Sequence, residues 1–236
     1  MNIKGLTRGK LSYHEDILNS SPNSKPASKQ GSKSAFKKLS FVKSAVRASE
    51  YPKLLQTNGR PMVEIAVGGR SNVGKSSLLN NLFHCKIVKT SATPGKTQLL
   101  NFFTADDNVA FADLPGYGFA SVPIDIRKKW GPMVQNYLEK RETLQLILFL
   151  FDIRRTPNEE DIQLIRWAEH YNKEIWLILT KVDKVTNNEK KSNSQKIIEA
   201  FSSPTIPLFH YSSTKEVGRY ELIKALQTWM TKTDAI

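Results

Sequence analysis

Apolar and polar positions follow two periods along this chain, and the two periods alternate. Dense apolar runs rich in β-branched and aromatic residues occur at FVKSAV (41–46), MVEIAVGG (62–69), LLNFFTA (99–105), NVAFADL (108–114), LQLILFLF (144–151), EIWLILT (174–180) and PLFHYSS (207–213). Their length and composition predict strands, several buried on both faces. Between them apolar residues fall three and four apart, as a helix requires, in SSLLNNLF (76–83), 123–142, PNEEDIQLIRWAEHY (157–171), the polar stretch 186–202 and the amphipathic 218–231. Gly131-Pro132 is expected to interrupt or kink the helix over 123–142. The ADDN turn between 99–105 and 108–114 predicts a hairpin, and 86–98 has no period and reads as a loop. This order predicts an α/β fold: a mostly parallel sheet with one antiparallel edge strand from the hairpin, and helices on both faces.

Residues 1–40 stand apart. They are rich in Ser, Lys, Asn and Pro, and SSPNSKPASKQGSKS has no apolar spacing, so a disordered basic extension (1–40) is expected to precede a domain over 41–236. No apolar signal core is present; Glu15, Asp16 and the scarcity of arginine weigh against an organellar transit peptide. No apolar run approaches the ~20 residues of a membrane span. The single cysteine, Cys85, excludes an intramolecular disulfide or a cysteine zinc cluster and fits a reducing compartment. The net charge of +13 suits a phosphate-rich partner such as RNA, or an anionic surface.

The chemistry centres on GRSNVGKS (69–76). Gly, four residues, Gly, Lys, Ser is the phosphate-binding loop, and it stands where it should, after a strand and opening a helix. Gly69 and Gly74 allow the turn; Arg70, Ser71, Asn72 and Val73 fill it, so that successive N–H groups face one concavity. Lys75 is expected on the β- and γ-phosphates and the Ser76 hydroxyl on Mg²⁺.

Four further pieces follow in order. In TPGKTQ (93–98) a threonine is expected to sense the γ-phosphate through Mg²⁺, Thr97 ahead of Thr93; Gly95, Lys96, Gln98 and Leu99 flank it. In DLPG, Asp113 ends a strand where it can reach the metal shell, Leu114 and Pro115 make the turn, and the Gly116 N–H can meet the γ-phosphate. TKVD, Thr180, Lys181, Val182 and Asp183, lies at a strand end, where open α/β sheets bind ligands. The Asp183 carboxylate can accept from N1–H and the exocyclic amine of guanine, a pairing adenine does not offer, and the Lys181 stem can cover the ring. In YSST, the backbone N–H groups of Tyr211, Ser212 and Ser213 can meet guanine O6. The phosphate loop alone would also allow an ATPase or nucleoside kinase; Asp183 argues for guanine.

Taken with FDIRRTPNEED and YSSTKEVG, these strings resemble the EngB family of bacterial GTPases, within the translation-factor-related class, over about 41–232. The resemblance implies a phosphate-loop GTPase domain that uses Mg²⁺ and GTP/GDP and acts in large ribosomal subunit assembly, with a link to cell division and septation. It also implies a monomer in the bacterial cytoplasm, an organellar matrix being the alternative. Two departures from the general GTPase pattern stand out. The base motif begins with Thr180 where asparagine is usual. Tyr117 follows DLPG where many GTPases place a glutamine that orients water, which predicts slow turnover without a partner, or a GTP-binding scaffold. Asn72 is the candidate for holding a K⁺ ion at the β–γ bridge, as some related GTPases do. Arg154-Arg155 can meet RNA phosphates or be salt-bridged.

Overall fold

The computed structural model describes residues 38–86, 99–106, 108–118 and 124–233, with the side chains of 124–129 outside the description. All belong to one compact unit, Ser34–Ile236. Among the described residues seven strands form one sheet: β1 (Leu39–Ala45), β2 (Val63–Gly69), β3 (Leu100–Ala105), β4 (Val109–Asp113), β5 (Leu144–Asp152), β6 (Glu174–Thr180) and β7 (Leu208–Tyr211), in the order β1-β3-β4-β2-β5-β6-β7. The β4-β2-β5-β6-β7 block is parallel, while β3 pairs antiparallel with both β4 and β1. The antiparallel strand is thus second from the edge, with β1 outside it. The first strand starts at Leu39, two residues ahead of position 41, where the apolar run suggested it would.

Helices α1 (Lys75–Leu82), α2 (Ile124–Lys140), α3 (Glu159–His170), α4 (Asn187–Phe201) and α5 (Arg219–Thr233) cover the sheet on both faces. Alternation along the central strands shows how. Ile65 and Val67 of β2 and Leu146, Leu148 and Leu150 of β5 pack with Leu78, Leu79 and Leu82 of α1 and Leu222 and Leu226 of α5. Ala66, Ile147, Phe149 and Phe151 point the other way, into Val134 and Tyr137 of α2, Leu164 of α3 and Phe201 of α4. Both faces of β5 are therefore dry, which explains its unbroken apolar run.

The edge strand switches faces partway along. Phe41 pairs with Phe103 and Lys43 with Phe102, leaving Val42 as an extra residue, a β-bulge. Leu39 consequently packs with the α1/α5 side and Ala45 with the α2/α3/α4 side.

Pro132 does not interrupt its helix: α2 runs unbroken through it. Proline removes one N–H and crowds the preceding turn, but tertiary anchors hold both sides. Val134, Tyr137 and Leu138 are buried after it. Before it, the Trp130 indole N–H donates to the Pro115 carbonyl at 2.8 Å. Pro157, for its part, precedes the Asn158 N-cap of α3 and lies outside the first turn that Glu159, Glu160 and Asp161 fill.

At the amino end of β2, Glu64 is fully buried. Arg141 grips it through Nε (3.0 and 3.1 Å) and Nη2 (2.6 Å), and the Tyr137 hydroxyl donates to it at 2.5 Å. The guanidinium lies over the Phe102 ring at 5.3 Å and the Tyr51 ring at 5.9 Å, which closes the cluster.

Candidate nucleotide-binding site

The phosphate loop joins β2 to α1 at the carboxyl end of the parallel strands, the end at which open α/β sheets take ligands. Gly69 is required by space as well as by its φ of +142°: a Cβ there would stand 2.4 Å from the Leu150 carbonyl oxygen of β5. Gly74 is the N-cap of α1 and Lys75 its first residue. The Lys75 ammonium donates to the Gly69 and Arg70 carbonyls at 3.2 and 3.3 Å, inside the loop. Burial lowers its pKa, with Asp113 opposing that shift.

Asp113 ends β4 beside Val67 of β2. It is 4 % exposed, and its Oδ1 has no hydrogen-bond partner among the described residues. Burial raises its pKa to about 6, and Lys75 restrains the rise. A buried carboxylate oxygen without a donor is costly. An unpartnered carboxylate oxygen at this strand end, with the Ser76 hydroxyl in the first turn of α1, is oxygen-donor chemistry that fits a hard cation such as Mg²⁺. Gly116 lies flat against the loop: a Cβ there would be 2.9 Å from Lys75 Nζ and 3.0 Å from Ser71 Cα.

TKVD closes the other side and is tied to the loop at two points. The buried Thr180 hydroxyl lies 2.9 Å from the Val73 carbonyl and 3.2 Å from that of Phe151, bracing the loop from β6. Lys181, in a left-handed conformation (φ +60°), sends its ammonium to the Asn72 carbonyl at 2.8 Å and to Asp152 at 3.0 Å. Asn72 thus contributes its main-chain oxygen to this tie. Val182 is buried behind the motif. Asp183 accepts from the Ser212 hydroxyl at 2.6 Å, the main cause of its lowered pKa.

The YSST turn differs from the sequence expectation in part. The Ser212 N–H donates to the Val217 carbonyl at 3.0 Å, so this residue braces Asp183 instead of offering its amide to a base. Tyr211 is buried and its hydroxyl donates to Asn81 of α1. Ser213 follows at the open end of the turn.

Arg154 folds back on Asp152 through Nε (2.9 Å) and Nη2 (2.7 Å), the salt-bridged alternative; Arg155 is exposed. Burial would raise the Asp152 pKa, but Arg154 and Lys181 bring it down to about 2. Thr93, Gly95, Lys96, Thr97 and Gln98 lie outside the described residues, and Leu99 is exposed at the start of β3.

Sequence reasoning missed Asp152, Asp161 and Trp130. Asp161 was visible only as one acid among three at a helix start. Its contact to Tyr117 spans 44 residues, and no local pattern signals it.

The loop, Asp113 and the TKVD motif thus stand together at the carboxyl end of the sheet. Residues 64–181 match the family model described as 50S ribosome-binding GTPase. A relative from Protochlamydia amoebophila (strain UWE25), a probable GTP-binding protein EngB, is 53% identical over 195 residues, covering 82% of this chain and 95% of the relative. Another of that name, from Geotalea daltonii, is 46% identical over 184 residues, 78% of this chain and 86% of the relative. Among solved structures, a probable GTP-binding protein engB aligns with a TM-score of 0.62 at 19% identity, over 72% of this chain and 99% of the other. Era in complex with MgGDPNP and nucleotides 1506–1542 of 16S ribosomal RNA aligns at 0.56 and 22%, over 73% and 56%; at this identity both likenesses concern the fold alone. The extent and identity of the curated matches settle the family: this chain belongs to the EngB GTP-binding proteins, a family of GTPases.

Proposed function

We propose that this protein is a Mg²⁺-dependent GTPase that switches between GTP and GDP states on the large ribosomal subunit during its assembly, in the bacterial cytoplasm, and that normal cell division and septation depend on that step. The observation that carries the nucleotide reading is Asp183. Its carboxylate is held ionised by Ser212 at the end of β6, in a motif bound to the phosphate loop through Thr180 and Lys181. A fixed carboxylate there selects guanine, because an unpaired acceptor would oppose adenine. The ribosomal partner is supported by the description of the matching family model and by the +13 charge.

In this reading the loop N–H groups over 70–76 and the Lys75 ammonium hold the phosphates. Ser76, Thr97 and Asp113 would hold Mg²⁺, which when bound neutralises charge developing on the transferred phosphoryl group. The Gly116 N–H takes the γ-phosphate. The Tyr117 side chain is buried on Asp161 and orients no water, so turnover by the isolated protein is slow and rises on the ribosomal partner.

Calorimetric titration with GDP, GTP and ATP tests the base assignment: Asp183→Asn is expected to lose about a hundredfold in guanine-nucleotide affinity, and unchanged binding removes Asp183 from the base site. Ser76→Ala is expected to weaken Mg²⁺-dependent binding more than metal-free binding. Co-sedimentation with purified large subunits is expected in the GTP state and to weaken with salt; equal pelleting with GTP, GDP and no nucleotide contradicts a switch.

A further inference from the structure

Tyr117 occupies the position after DLPG, yet it is 4 % exposed. Its hydroxyl donates to Asp161 Oδ1 at 2.5 Å. Asp161, with a fully buried side chain, uses its other oxygen to accept the Asn158 N–H that caps α3 at 2.9 Å, and Arg70 Nη1 stands 3.6 Å from that oxygen. Arg70 is itself a phosphate-loop residue, and its guanidinium lies against Gly118, where a Cβ would come within 2.9 Å of it. The Tyr117 carbonyl accepts the Ser71 N–H at 2.9 Å. The Trp130 ring rests on Tyr117 at 4.6 Å between centroids while its indole N–H holds the Pro115 carbonyl at 2.8 Å.

Gly116 is therefore pinned from both sides, by Pro115 on Trp130 and by Tyr117 on Ser71 and Asp161. Four elements meet at the pin: the phosphate loop, the segment after β4, α2 through Trp130 and the start of α3. The contact that Gly116 makes in the reading above is to the γ-phosphate alone, which GDP lacks.

We propose that Tyr117 is a positioning residue for that contact: through its hydroxyl on Asp161 it fixes where the Gly116 N–H stands. Losing this hydrogen bond then weakens GTP but not GDP and slows turnover. The proposal rests on the GTPase reading. It also gives Tyr117 a task that a glutamine there would not have, since the ring acts through the backbone and never touches the nucleotide. Asp161 is the other half of the device, and Arg70 carries its state into the loop.

The test uses the full chain with Tyr117→Phe, which keeps the ring on Trp130, with Asp161→Asn, which keeps an acceptor at the cap, and with both together. Affinities for fluorescent GDP and for a non-hydrolysable GTP analogue are measured, with single-turnover hydrolysis on large subunits and thermal melting. The expected result for Tyr117→Phe is a roughly tenfold loss for the GTP analogue and in turnover, with GDP affinity within about twofold. The double variant is expected to lose no more than the worse single one, because both changes break one contact. Equal losses for GDP and the GTP analogue, or additive losses in the double variant, overturn the proposal and leave Tyr117 a packing residue. An unchanged ratio of the two affinities overturns it as well. A parent protein that binds no guanine nucleotide overturns the GTPase reading, and this proposal with it.

Discussion

Glu64 and Asp113 are buried at opposite ends of the same central strands, and the fold treats them in opposite ways. Glu64, near the start of β2, accepts from Arg141 and Tyr137, and the Arg141 guanidinium in turn lies over two aromatic rings. Asp113, at the end of β4, keeps an oxygen without a donor and a pKa raised to about 6. Burying a carboxylate is tolerable when a cation and hydrogen bonds replace its water. The amino end of the sheet supplies these from its own chain and gains an anchor between β2 and α2. The carboxyl end sets the Lys75 charge near Asp113 but gives its Oδ1 no donor, which leaves a costly group that an external cation can satisfy. The degree of internal satisfaction separates the two carboxylates, although both are buried.

The comparison can be broken most forcefully at the satisfied end. Glu64→Gln keeps the shape but leaves the Arg141 guanidinium without its counter-charge, and stability is expected to fall by about 3–5 kcal/mol. Urea unfolding reads this directly; a loss below about 1 kcal/mol would mean that Arg141 finds solvent and that the cluster anchors nothing. Guanine-nucleotide affinity of the folded variant should stay at the parent level.

At the other end the sign reverses. The native Asp113 carboxyl keeps its proton to higher pH than the unfolded one, about 6 against 3.8. Its favourable contribution is present below about pH 4 and is lost as pH rises through about 6. About two pKa units correspond to roughly 3 kcal/mol. Without nucleotide or Mg²⁺, Asp113→Asn is therefore expected to gain on the parent by up to that amount between about pH 4 and 7.5. Parallel stability–pH curves for the two proteins would show that Asp113 is already paired. The same variant is expected to lose Mg²⁺-dependent nucleotide affinity, so one substitution stabilises the fold and harms the site.

The smallest effect belongs to Thr180, a neutral brace between the base motif and the loop. Thr180→Val removes the hydroxyl near the Val73 carbonyl and should cost about 1 kcal/mol, read by thermal melting. A drop in nucleotide affinity much larger than this would make Thr180 part of the binding surface.

Much of the site is legible in the sequence because the phosphate loop, DLPG and TKVD are local: consecutive residues supply consecutive backbone groups, and their order along the chain is that of a known site. The strands of the parallel block are equally plain, since burial on both faces leaves an unbroken apolar run, as in LILFLF (146–151). What escapes are pairings across sequence. Nothing near Glu64 announces Arg141, 77 residues on, and nothing near Tyr117 announces Asp161. Pro132 misleads for the same reason: its local penalty is real, but Trp130, Val134 and Tyr137 outweigh it from outside the helix backbone. Ser212 carries both lessons, its place at a strand end being readable and the use of its hydroxyl on Asp183 not.

The bulge at Val42 bears on crowding between molecules. Among the described residues β1 is the outermost strand, so one row of its peptide groups faces away from the sheet. A regular outer strand would let a neighbouring chain add itself in register, and then another, as fibrils do. Here the register breaks between Phe41 and Lys43, the strand twists, and an exposed lysine stands at the break. An incoming strand can match the first half of this edge or the second, but not both in one straight ladder. The kink that lets Leu39 and Ala45 pack on opposite faces thereby also opposes the addition of a further strand at the β1 edge.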